Sequence, residues 1–168
     1  ARYCDGILAT RGNGLLGNDI SRNLKRGLVA LGGANSGAGE IVIPEQYFND
    51  VLVDSFSHPR NFVTGLIGAD NLSNEAKEAM QDGAVQFVPY SGLESIECGI
   101  KELLADVAGL CQKVEEQCKY PLDGSVIDVL NSEVRIEMGA TSHHHNWQIA
   151  KKIKGETAIA EVEKITWR

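Results

Sequence analysis

The stretch GATSHHHNW, residues 139–147, concentrates three of the four histidines of the chain. Neutral imidazole nitrogen ligates zinc, iron, copper and nickel, and an imidazole near its free pKa also moves protons at neutral pH. Read as an extended segment, residues 141–146 turn His143 and His145 to one face and His144 to the other. His143 and His145 then form half of a site for a divalent transition metal, zinc or iron, or an acid–base pair. A catalytic metal needs a third ligand and an open position for water. His58 in SFSHPRN, Glu137 and Asp54 are candidates for that ligand. His143, His145 and His58 are thus the expected catalytic residues, with Asn146 and Trp147 adding a hydrogen-bond donor and a flat apolar wall. The competing reading is three exposed polar side chains in a loop.

A second constellation lies near the start. TRGNGLLGND holds Gly12, Gly14 and Gly17 in a G-x-G-x-x-G spacing. Between a strand and a helix, such glycines let backbone approach a pyrophosphate while the helix N-terminus supplies partial positive charge. Glu45, after IVIP, is the candidate ribose acid, although its 28-residue interval from Gly17 exceeds the usual spacing. Arg11, Gly12, Gly14 and Gly17 are the expected cofactor-binding residues. Arg11, with Arg22, Lys25 and Arg26 on the following helix, makes this the best anion-facing surface in the sequence. The competing reading is a turn with packing glycines. No GxxxxGK[ST] occurs, which excludes a P-loop match.

These residues need elements to hold them. Residues 91–118 repeat apolar side chains at three- and four-residue steps, which predicts one long helix opened by a Ser91–Glu94 capping box and closed by Pro121 and Gly124. Cys111 and Cys118 share its apolar stripe and read as buried thiols. Further helices are expected from Asn18 or Asp19 to Leu31, from Asn74 to Gln81 with Ser73 as cap, and over 44–56. Strands are expected at Gly6–Thr10, Glu40–Ile43, Asn61–Ile67, Ala84–Val88, part of Ser125–Met138, and Thr157–Trp167. Interleaved helices and strands predict an α/β layered fold with a mixed sheet and three to four helices.

Size allows one domain over residues 1–168. Half of the 18 glycines fall within residues 1–39, so that portion is either flexible or ordered by a ligand or partner. The net charge of −7 is unevenly spread: residues 1–39 carry five Lys/Arg against two Asp/Glu, and residues 40–139 carry six against eighteen. An acidic centre argues against a nucleic-acid partner. No apolar run suits a membrane span and no signal-peptide core is visible, which predicts a cytoplasmic protein. Ala1 without a preceding methionine points to a chain cut from something longer.

Together these features predict a metal- or histidine-dependent hydrolase or lyase acting on a small polar or anionic metabolite. The alternatives are a nucleotide-cofactor module built on GNGLLG and a non-enzymatic subunit of a homo-oligomer.

Overall fold

The computed structural model describes residues 1–33, 35–141, 144–153 and 164. It divides into two compact units, Ala1–Leu122 and Asp123–Arg168. The first unit is built on a five-stranded sheet of order β2-β1-β4-β5-β3. The strands are β1 Arg2–Cys4, β2 Ile7–Ala9, β3 Val29–Ala30, β4 Gly37–Val42 and β5 Gln86–Pro89. β3 pairs parallel with β5 and every other pairing is antiparallel, so the α/β fold with a mixed sheet stands as expected.

The sheet carries the core on the inward positions of its strands. Gly39, Ile41 and Ile43 alternate inward along β4 and its continuation, whereas Ala38 and Glu40 point out. Leu8, Ile43, Val85 and Phe87 are wholly buried and meet Leu52 and Met80 from the helical layer. α3, Pro59–Gly68, faces this core with Phe62, Val63 and Leu66. α4, Asn74–Gln81, does so with Ala76, Ala79 and Met80.

The helical layer departs from the expectations in instructive ways. Residues 61–67, expected as a strand, lie within α3. Pro59 fixes the first helical φ and the His58 ring accepts from the Arg60 N–H, so end signals outweigh the strand-like composition. The helix expected to reach Leu31 shrinks to α1, Arg22–Lys25. Gly27 leaves helical space at φ 115°, where an added Cβ would sit 2.5 Å from the Met80 carbonyl oxygen. The chain then enters β3. Residues 44–56 do coil, as α2, Glu45–Tyr47, continued by a wider π-type turn over Phe48–Leu52.

The long helix over 91–118 is broken. It is replaced by α5, Ile100–Ala105, and α6, Val107–Gln117, with no helix over Leu93–Gly99. The Asp106 carboxylate accepts from the Gly109 N–H at 2.8 Å and restarts the helix there. Of the expected apolar stripe Cys111 is buried and Cys118 half-buried, while Ile100 and Leu104 are exposed. In the second unit, β6, Gly124–Asp128, and β7, Gln148–Lys152, form an antiparallel pair, with α7, Ser132–Met138, between them in sequence. The strand expected at Thr157–Trp167 falls outside the described residues, Lys164 aside. Among the described residues no helix is long and apolar enough to cross a membrane.

Candidate functional site

Three polar side chains converge on the outward face of the large sheet. Glu40 points outward from β4, in register with Val88 of β5. Next after Val88, Pro89 ends the strand, and a 3₁₀ turn over Tyr90–Gly92 begins. That turn delivers the Tyr90 hydroxyl to Glu40, donating to Oε2 at 3.4 Å. Arg60 stands in the first turn of α3, and its guanidinium Nη2 lies 3.9 Å from Glu40 Oε1.

Close backbone packing fixes the carboxylate's place. Gly39 is buried, and an added Cβ there would lie 2.7 Å from the Phe87 ring and 2.8 Å from the Pro89 Cα. Strand register brings Arg11 to the same end of the sheet. Ala9 of β2 and Ala38 of β4 both pair with Arg2 of β1, so Arg11 and Glu40 each follow two residues past that row, two strands apart.

At 3.9 Å, with side chains 64% and 50% exposed, the Arg60–Glu40 pair adds little stability, about 0–1 kcal/mol at most. What it offers is a solvent-facing cation, a carboxylate and a phenol ring within reach of one bound molecule. An arginine takes a phosphate or carboxylate through parallel N–H donors. A carboxylate accepts from hydroxyl or amine groups, and an exposed tyrosine ring offers a stacking face. Sequence reading missed all three of these residues. The one available signal was Glu40 at an outward position of a strand otherwise made of glycine and apolar residues.

The glycine motif is a built loop beside this cluster. Gly12 has φ 54°, and a Cβ there would run into the Leu16 carbonyl oxygen; one at Gly17 would meet the Thr10 carbonyl. The Asn13 carboxamide oxygen accepts from the N–H groups of Leu15 and Leu16 at 3.0 and 2.8 Å. The strand before the loop, β2, is antiparallel to β1, and the helix that follows has four residues. The parallel strand–loop–helix that seats a dinucleotide is therefore not formed here. Arg22 and Arg26 are engaged by protein groups. Arg22 donates to the Gly68 and Ala69 carbonyls and pairs with Asp70 at 2.8 Å. Arg26 donates to the Ala69 and Asp70 carbonyls at 2.8 and 2.7 Å.

The histidines are placed differently from the expectation. His58 lies in the first unit as the cap of α3, its Nδ1 accepting from the Arg60 N–H at 3.1 Å. Ala140 and Thr141 lie against His145 and His144: Ala140 bridges His145, and the Thr141 N–H donates to the His144 carbonyl at 2.8 Å. His145 is exposed, its ring stacked on Trp147 at 4.5 Å, and the Arg135 guanidinium lies 4.2 Å from the indole centroid. His143 lies outside the described residues. Among the described residues no group of three His, Cys, Asp or Glu side chains could hold a metal ion. Metal binding finds no support among the described residues, which do not include His143. The exposed His145 imidazole spends its ring face on the Trp147 indole, and among the described residues it belongs to no group of three metal-ligating side chains.

No protein-family model matches the chain. It is 49% identical over its full length to a DNA ligase of Desulfatibacillum aliphaticivorans, covering 27% of that protein. It is 38% identical over 99% of its length to a DNA ligase of Psychromonas ingrahamii, and 41% identical over 96% to one of Desulfotalea psychrophila, covering 26% and 24% of them. These likenesses overturn three expectations: the hydrolase or lyase, the small-metabolite substrate, and the absence of a nucleic-acid partner. The last rested on charge counted along the sequence, a measure blind to the fold, which brings Arg60 within 3.9 Å of Glu40 and leaves Arg11 at the same end of the sheet. The chain spans about a quarter of the length of the curated relatives it matches, and along nearly all its own length it is similar to a segment of proteins named DNA ligase.

Proposed function

We propose that this chain is part of a DNA-joining enzyme, and that Arg11, Glu40, Arg60 and Tyr90 face the nucleotide on which it acts. The observation that carries the reading is the convergence of Arg60 and Tyr90 on Glu40 at one outward face of the sheet. A nucleotide has three parts needing three kinds of partner. The phosphate takes the Arg60 guanidinium, the ribose hydroxyls donate to the Glu40 carboxylate, and the base stacks on an aromatic face such as that of Tyr90.

Joining DNA forms a phosphodiester when a hydroxyl oxygen attacks an activated phosphate: the bond from phosphorus to the activating group breaks, that group leaves with the electron pair, and the hydroxyl proton passes to solvent. The protein's share is to hold the phosphate and offset the charge on its oxygens as the bond forms. Arg60, held at the start of a capped helix, is suited to that. A DNA substrate supports a cytoplasmic place of action for this chain.

The test is nick sealing by the intact polypeptide carrying this segment, with Arg60→Gln and Glu40→Gln compared against the parent. Each substitution is expected to lower sealing at least tenfold while leaving the melting transition within a few degrees. Unchanged sealing by both variants refutes the assignment.

A further inference from the structure

The GNGLLG loop spends an unusual number of restraints on displaying two leucines. Leu15 is 92% exposed and Leu16 77% exposed, at adjacent positions on the loop tip. Apolar side chains at an unstructured tip would need no scaffold. Here the Asn13 side chain accepts from both leucine N–H groups, and the Asn13 N–H donates to the Leu16 carbonyl at 3.2 Å. At the base, Thr10 and Asn18 close the loop twice, through a backbone bond and through the Thr10 hydroxyl, each at 2.9 Å. Gly12 and Gly17 stand where no side chain fits. The loop is therefore held in one shape, with its apolar pair outward.

Its surroundings indicate what meets it. Arg11 opens the loop at the same end of the sheet as Glu40, each two residues past the strand partners of Arg2, and Glu40 pairs with Arg60. A compact apolar pair beside cations suits a polyanion that also hides apolar surface. Duplex DNA has that character: phosphates outside, stacked bases within. Proteins that open a base step insert short apolar wedges beside basic residues.

We infer that Leu15 and Leu16 form an apolar wedge that engages a base step of duplex DNA beside the Arg11 and Arg60 phosphate contacts. The inference rests on the nucleotide-facing reading of the Glu40 cluster, and it adds a contact with bases that this cluster does not make.

The experiment uses the intact polypeptide and a nicked duplex carrying 2-aminopurine next to the nick. Fluorescence anisotropy reads binding, and 2-aminopurine emission reads unstacking. The parent is expected to bind and raise the emission. Leu15→Ser/Leu16→Ser is expected to bind about tenfold more weakly, the loss typical of removing two central apolar contacts, and to leave the emission at the free-duplex level. Leu15→Met/Leu16→Met should restore both signals, which separates wedge loss from misfolding. If the serine variant binds as tightly as the parent and raises the emission equally, the wedge is refuted while the nucleotide-facing reading stands. A serine variant that keeps duplex binding but loses association with another part of the polypeptide also overturns it, since the leucines then face protein. If the parent itself fails to bind the duplex, both inferences fall together.

Discussion

Replacing Gly39 by alanine tests whether the sheet sets the position of Glu40. The added Cβ would lie 2.7 Å from Phe87 Cζ and 2.8 Å from Pro89 Cα, closer still to the Val88 carbonyl oxygen. Two of these three neighbours are backbone in the paired strand, so no rotamer change can relieve the overlap. β4 and β5 must separate locally, and Phe87, wholly buried, must tilt with them. Forcing atoms into packed space costs about 1–3 kcal/mol. Because backbone must move, the upper figure of about 3 kcal/mol applies, which corresponds to about 6–12 °C in melting temperature for a domain of this size. The control is Gly33→Ala, where an added Cβ meets nothing within 4 Å and the backbone is ordinary; it should change stability by less than about 0.5 kcal/mol. Urea unfolding monitored by circular dichroism gives both values. Equal midpoints for the two variants would falsify the claim that close strand approach at Gly39 fixes the site.

Other outcomes follow from the same fold. Arg60→Gln should reduce the slope of log affinity against log salt for duplex binding by about one, the signature of one lost phosphate contact. Phe87→Ala should cost about 3–5 kcal/mol by urea unfolding, since its ring sits wholly buried at the centre of the core. Asn131→Ala should lower stability by about 1 kcal/mol, because its side chain caps α7 by accepting from the Glu133 and Val134 N–H groups. The Ser21 hydroxyl and backbone N–H hold the Asp19 carboxyl below its usual value of 3.8. A depressed folded pKa contributes stability above the unfolded value, and that contribution is lost as pH falls through the folded one. Asp19→Asn should therefore flatten the loss of stability below about pH 4, read from unfolding midpoints between neutral pH and pH 3.

Periodicity was legible where neighbours agreed with it. α4 has the expected bounds, Asn74–Gln81, because Ser73 caps it and Gly83 follows at φ 65°. It misled over residues 91–118, where the apolar spacing is real but Gly99 and Asp106 interrupt the backbone. Composition misled at 61–67, since Phe62, Val63 and Ile67 favour strands while Pro59 and His58 start a helix. The candidate site was nearly invisible. Glu40, Arg60 and Tyr90 are 20 and 30 residues apart in sequence and meet only because β4 pairs with β5 and α3 lies against β4. Clustered histidines attract notice in a sequence because proximity along the chain looks like proximity in space. Here the useful convergence was long-range.

The two guanidinium groups that grip the end of α3 have a consequence for Arg60. Arg22 and Arg26 together take up the carbonyl groups of residues 68–70. At a rise of about 1.5 Å per residue, eight residues put roughly 12 Å between that anchorage and Arg60. The tail of a helix buried along its flank is thereby fixed, and replacing Arg22 or Arg26 is expected to let its first turn, with Arg60, shift.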